Sequence, residues 1–410
     1  MGSEVKEDPL TLDVIEWIQS NAIRLSTVEP NDDFSDLVNL KQILSGVDAI
    51  GLGEATHGTR EFFQLKHLML RYLSTELGFD TLAFETPFVG DINTSIRNPN
   101  VELVNAFREQ TFAVWQTEEI LEMVAWMRTR NLQIPAQGVD FVGIDCQLDR
   151  ALIHKSIEVL NKLGCATAHA EKLREAWNGF LEQKDSKERT SGPRLFRAVS
   201  LTEQISFMRG FAEASRLPPS IAEHLTVLEP ALQLHMVSNE HLTYSNLRDK
   251  FMAENVLHLI DQGRKPAVWA HNGHVSCLKN HRRQTMGHHL RETLGSRYYP
   301  IAFSFFKGEF RSNFKSRKRS SEYCVAMPPL ENLEHILLRT GVPMFFLDLR
   351  AAKLDRNFER WWSIPRKIQG TGARHNTETG QLGSYAFSSQ EYDGIIFLEQ
   401  TNSSRLLSAT

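Results

Sequence analysis

A chain of 410 residues, 41% of them hydrophobic, can bury a large core and is long enough for one elaborated domain or two. Its formal charge of −4 is nearly balanced, which excludes a whole-chain electrostatic signature of nucleic-acid binding. No apolar run reaches the roughly 18 residues of a membrane-spanning helix, and the acidic N-terminus lacks a signal peptide's apolar centre, so a cytoplasmic protein without a membrane partner is expected.

Met1 to Pro9 are polar. Leu12, Ile15, Trp17, Ile18 and Ala22 suggest an amphipathic helix from Leu12 to Ile23, and a second is expected from Phe34 to Leu44. A buried strand follows from Val47 to Leu52. It leads into Gly53-Glu54-Ala55-Thr56-His57-Gly58, where glycines permit a tight path and leave a carboxylate and an imidazole on a strand-to-helix loop. Phe62, Leu65, Met69, Tyr72 and Leu73 then mark one helical face, and Gly78 suits a left-handed cap. A second strand, Thr81 to Phe84, runs into Glu85. Thr117 caps a helix with Glu118 and Glu119 in its first turn, continuing to Arg130, and Pro135 closes that segment. A third strand, Val139 to Ile144, runs into Asp145.

From Asp149 to Gly263 long helical patterns replace the short apolar runs, broken by polar Gln183 to Pro193 and by Pro218-Pro219. Strand texture resumes at Pro266 to Ala270, which ends in His271, and returns at Tyr299 to Phe306, Pro343 to Leu349 and Gly394 to Leu398. The expected fold class is therefore α/β, with a central mostly parallel sheet of about six or seven strands flanked by helices. Residues 1–148 would form a first α/β part and 264–410 a second part completing the same sheet. Residues 149–263 would be a helical insertion covering the active rim. The basic run Arg311 to Arg319 reads as a solvated loop.

Parallel strands deliver their carboxyl ends to one rim, where open α/β sheets collect ligands. Glu54 with His57, Glu85, Asp145, and His271 with His274 each follow an apolar run, so one pocket built from distant sequence is expected. Asp145 either lines that pocket or accepts loop amides and holds the rim together. Lys66, on the helix after Glu54, either serves the site or is a surface lysine. Phe88, Phe112 and Trp115 are candidates for an apolar wall. The four cysteines, Cys146, Cys165, Cys277 and Cys324, are widely spaced with no C-x-x-C, so reduced thiols are expected, and the default for Cys146 and Cys277 is a small buried apolar residue. No serine sits in G-x-S-x-G and no H-E-x-x-H occurs, which removes the usual serine-hydrolase and zincin signatures. Neither a cofactor nor a metal is indicated by spacing, though two histidines with two carboxylates leave a divalent ion open.

Gly53-Glu54-Ala55-Thr56-His57-Gly58, followed by Glu61-Phe62-Phe63 and Leu70-Arg71-Tyr72-Leu73, resembles the erythromycin esterase family. So, in the same order, do Gly78 to Glu85, Val142-Gly143-Ile144-Asp145, Arg248-Asp249-Lys250-Phe251-Met252-Ala253, Ala270-His271-Asn272-Gly273-His274, Met286-Gly287 and Tyr392-Asp393-Gly394-Ile395. The resemblance implies a carboxylic-ester hydrolase whose small-molecule substrate is a macrolide lactone such as erythromycin or another ester. It implies no cofactor, and a monomer or small homo-oligomer is expected. Where this sequence has Lys66, the family pattern has arginine, so a planar fork is replaced by single-point contact. In this reading His57 is the general base, because an imidazole can take and return a proton at neutral pH, and Glu54 or Glu85 orients it. His271, with His274 or Lys66, would stabilise the oxyanion, and Asp145 completes the substrate-binding set. A non-catalytic or metal-binding member of the scaffold, or an esterase for a different acyl substrate, is the alternative.

Overall fold

The short apolar runs pair with partners distant in sequence, because helices carry the chain back across the sheet between them. The structure is a computed structural model that describes residues 9–87, 92–110, 112–147, 240–314, 320–325, 327–372, 374–375 and 382–408, with a few positions between 171 and 237. Its strands are β1 (Ile23–Arg24), β2 (Ala49–Leu52), β3 (Thr81–Pro87), β4 (Asp140–Asp145), β5 (Pro266–Trp269), β6 (Tyr298–Phe314), β7 (Ser320–Val325), β8 (Met344–Asp348), β9 (Arg366–Gly370), β10 (Arg374–His375), β11 (Gly383–Phe387) and β12 (Gly394–Thr401). Ten of them form one sheet in the order β1-β8-β12-β6-β2-β5-β3-β4, with β7 and β10 both paired to β6, while β9 and β11 make a separate ribbon. From β12 to β4 every neighbour on that path is parallel, and β8 and β1 complete it antiparallel.

The mostly parallel sheet is as expected, but it is wider than the run count suggested. Strand β6 continues past Phe306 through Lys307-Gly308-Glu309, where Gly308 takes a positive φ of 127° against Thr401. Its second half carries β7 and β10. Polar residues there obscured the strand, since their ladder rather than apolar burial defines it. The expected helix from Phe34 to Leu44 is instead a 3-10 turn at Ser35–Leu37 and one helical turn at Leu40–Ile43. Leu37, Leu40 and Leu44 are buried without a continuous helix between them.

Helices cover both faces. On one, Phe62, Leu65 and Met69 of the helix Arg60–Glu76 meet Met123 of the helix Glu118–Gln133 and Phe303 of β6. On the other, Met252 and Val256 of the helix His241–Asp261, which packs against the helix Met286–Leu294, share one buried cluster with Leu290 and Trp361. Each such side chain contributes about 1.5–3 kcal/mol by leaving water. The helix His241–Asp261 belongs to the expected insertion, and nearly all the rest of that insertion lies outside the described residues. Among the described residues no helix is long and apolar enough to cross a membrane.

Register fixes the rim. Leu52 of β2 lies opposite Trp269 and Ile301, and Phe84 of β3 opposite Trp269 and Gly143. The residues just beyond, Glu54, Glu85, His271 and Asp145, therefore emerge at the same edge. At Glu85 the β3–β4 pairing shifts register between Phe84 and Pro87, a local irregularity of the kind that re-aims a side chain next to a site.

Candidate active site

The loop after β2 is pressed against its neighbours. A Cβ on Gly53 would run into Asn272 and the Ile301 carbonyl, and one on Gly58 into the Arg311 backbone, so glycine is required at both. The backbone N–H of Asn272 donates to Glu54 O at 2.9 Å. Asn272 also donates through Nδ2 to Phe303 O at 2.9 Å and accepts from Phe303 N at 3.1 Å, which ties the His271–His274 turn to β6.

Glu54 is fully enclosed and uses both carboxylate oxygens. Oε1 is 2.6 Å from His57 Nδ1 and Oε2 accepts from Lys66 Nζ at 2.6 Å. Burial pushes this carboxyl up, but the charge of Lys66 and the hydrogen bond from His57 outweigh it and hold the group below its ordinary value. Lys66 is no surface lysine: it is completely buried, with Nζ 4.3 Å from the Trp269 ring centroid and 5.6 Å from that of Phe303. Burial lowers its pKa to about 8 against the pull of Glu54. With Glu54 as acceptor, His57 carries its proton on Nδ1. Among the described residues no hydrogen bond engages Nε2. The imidazole is clamped edge-on by Trp115 at 4.7 Å and faces the His271 ring at 5.0 Å. Trp115 is itself held by an Nε1 bond to Glu85 O at 3.1 Å. It thus walls His57, whereas Phe112 is half-buried and Phe88 lies outside the described residues.

A second network sits beside the first. Arg248 donates to Glu85 Oε1 at 2.7 Å and to Asp145 at 3.1 and 2.8 Å. His274 binds Asp249 through Nδ1, and its Nε2 stands 3.0 Å from Arg248 Nη1 and 3.2 Å from Glu85 Oε1. Asp249 also accepts from Arg283 at 2.7 Å. Burial disfavours charge on both Glu85 and His274. It is outweighed by His274 and Arg248, which hold Glu85 well below the carboxylate range, and by Asp249 and Glu85, which raise His274 to about 9. Asp145 has no exposed surface and is further engaged by Gln147 N at 3.1 Å and Nε2 at 2.7 Å. Its contacts are those of a residue holding the rim, the second of the two sequence readings. Glu85, Asp145 and Asp249 face Arg248, Arg283 and His274, whose charge Asp249 and Glu85 favour and the Arg248 guanidinium opposes.

His271 behaves differently. Its Nδ1 accepts from Gly273 N at 3.1 Å, which leaves the proton on Nε2, 3.1 Å from Thr371 O. Burial, reinforced by His57, lowers its pKa to about 3, so the ring is neutral. Its backbone N–H donates to Glu85 Oε2 at 2.8 Å. Burial also pushes the Cys146 thiol up, and that of Cys277 to about 11, so neither is a thiolate nucleophile.

Sequence reasoning gave Arg248, Asp249 and Arg283 no role. Opposite charges at Arg248-Asp249 directly before the buried Phe251-Met252-Ala253 were the available signal; Arg283 sits in a loop and offered none. Because the folded-state pKa of His274 is raised, its contribution to stability is complete below about pH 6.5 and is lost as pH rises through about 9. His274→Gln is therefore expected to lower the urea midpoint at pH 6 by the equivalent of about 3 kcal/mol and by much less at pH 10. An equal deficit at both pH values would contradict the assignment.

Residues 74–401 match the family model described as erythromycin esterase. A Bacillus subtilis (strain 168) protein, YbfO, which carries a provisional hydrolase name, is 25% identical over 95% of this chain and 92% of its own. Erythromycin esterase type II from Escherichia coli is 23% identical over 96% of this chain and 99% of its own. Among solved structures, a mutant of the erythromycin esterase EreC in its open conformation superposes with a TM-score of 0.70 at 14% identity, covering 95% of this chain and 99% of that one.

Proposed function

The chain belongs to the erythromycin esterase family, a family of hydrolases, and from that premise we propose that it hydrolyses a carboxylic ester, most specifically a macrolide lactone, by water activated at His57. The observation that carries the reading is the buried Lys66–Glu54–His57 chain. Glu54 fixes the tautomer and ring orientation of His57, so that Nε2 is presented as the proton acceptor.

In this mechanism a water gives its proton to His57 Nε2 as its oxygen adds to the ester carbonyl. To donate to the tetrahedral oxyanion, the N–H of neutral His271 exchanges Thr371 O for the oxyanion, and a well-placed donor of this kind is worth roughly 3 kcal/mol. Collapse breaks the carbon–oxygen bond, and His57 returns the proton to the leaving alkoxide. A simple ester yields an acid and an alcohol; a macrolide lactone opens to one hydroxy acid. Glu85, with both oxygens engaged and its carboxyl held ionised, acts as an anchor for His271 and His274 rather than as a proton carrier.

The test is incubation with erythromycin and a panel of simple esters, followed by mass spectrometry. Addition of one water to the macrolide is expected. Turnover of simple esters alone would retain the chemistry and reject the substrate, and inertness toward all of them would reject the esterase reading. The site also sets an alkaline limit. As Lys66 loses its proton near pH 8, Glu54 loses its countercharge, so turnover is expected to fall above that pH. Lys66→Arg, which cannot deprotonate in this range, is expected to move the alkaline limb upward. An unmoved limb would assign it to another group.

A further inference from the structure

Packed against the helix His241–Asp261 that carries Arg248, the helix Met286–Leu294 bears His288, His289 and Glu292, whose ligand atoms all lie within 4.8 Å of one another. We propose that these three residues bind a divalent transition-metal ion of the zinc class, at a site separate from the catalytic rim.

His288 and Glu292 are one helical turn apart and share a face, and His288 Nε2 stands 3.3 Å from Glu292 Oε1. Bonds of about 2.0–2.1 Å to a tetrahedral zinc require ligand atoms about 3.3–3.4 Å apart. One edge of the tetrahedron is therefore already in place. His289, one residue round the helix, leans to the same side, its ring 5.2 Å from that of His288. It is half-buried and Glu292 is exposed, so both can turn inward to close the remaining separation.

His288 is only 7% exposed, and its Nε2 is enclosed with no well-aligned hydrogen bond, although Glu292 Oε1 stands 3.3 Å away. Buried ring nitrogens are ordinarily satisfied, and leaving one unpaired is costly. A metal ion supplies the missing partner. Two imidazoles and one carboxylate suit zinc, cobalt or nickel over magnesium or calcium, and a water would fill the fourth position. Lys279 lies 3.0 Å from Glu292 Oε1, but both side chains are about half exposed, so this pair is weak and Lys279 can swing into solvent. Asp249 and Glu254 on the adjacent helix add negative charge near His289, opposed by Lys250.

The full chain, stripped with a chelator and dialysed against zinc chloride, would be assayed for bound zinc by mass spectrometry and for melting temperature. One equivalent bound at micromolar zinc and a rise in melting temperature are expected, with no competition from excess magnesium. Glu292→Gln, an exposed substitution that leaves the fold intact, and His288→Ala with His289→Ala are each expected to weaken binding by roughly tenfold or more. His57→Asn and His271→Asn are expected to retain the full equivalent. Zinc binding that survives the helix substitutions, binding lost instead with His57 or His271, or no bound zinc at millimolar concentration would each overturn the proposal.

Discussion

His57→Asn is expected to lower turnover by about 10²–10⁴-fold while leaving KM and melting temperature nearly unchanged. Asparagine can still donate from its amide to Glu54 Oε1, so the buried carboxylate keeps a partner, and the side chain fits the volume between Trp115 and His271. It has no basic nitrogen to take the water's proton. Glu54→Gln is expected to depress turnover through the same step, because its amide can present a donor to His57 Nδ1 and favour the wrong tautomer. The two effects should not add, since both remove one function. A His57→Asn variant with near-normal turnover would place the base elsewhere. Fully additive losses would mean that Glu54 acts independently of His57.

The pairing of Glu54 with His57 was legible in the sequence from its local pattern. Glu54 and His57 stand between glycines, and the geometry explains why glycine is needed at Gly53 and Gly58. Strand ends at Glu54, Glu85, Asp145 and His271 were readable because the apolar runs stop where the parallel strands reach a polar rim that is itself buried. Lys66 was harder to place. A lysine on an amphipathic helix ordinarily faces water, and only its spacing from Glu54 hinted at the buried pair. Charge assignments among the histidines were beyond reach. His271 and His274 differ by three residues, yet one is neutral and the other protonated, because Asp249 comes to His274 from a distant helix and Gly273 N caps His271 Nδ1. Such differences arise from tertiary contacts that no local pattern encodes.

Arg248 tests how much of the rim depends on one such contact. Arg248→Met would leave Asp145 and Glu85, both nearly without solvent exposure, short of their shared cation. Breaking a buried pair by removing one partner typically costs 3–5 kcal/mol, because the remaining charge is neither solvated nor compensated. Here two carboxylates lose their partner. The expected result is therefore a loss at or above the top of that range, about 5 kcal/mol, seen as a sharply lower urea midpoint or little soluble protein at pH 7. The deficit should shrink as pH falls and the orphaned carboxylates take up protons, since a neutral carboxyl is far cheaper to bury. Arg248→Lys should recover only part of the loss, because a single ammonium cannot span Asp145 and Glu85 as the guanidinium fork does. If Arg248→Met melted within a degree of the parent at pH 7, the carboxylates would have to be neutral or hydrated in the folded protein. The ionised network, and with it the protonated state of His274, would then be wrong.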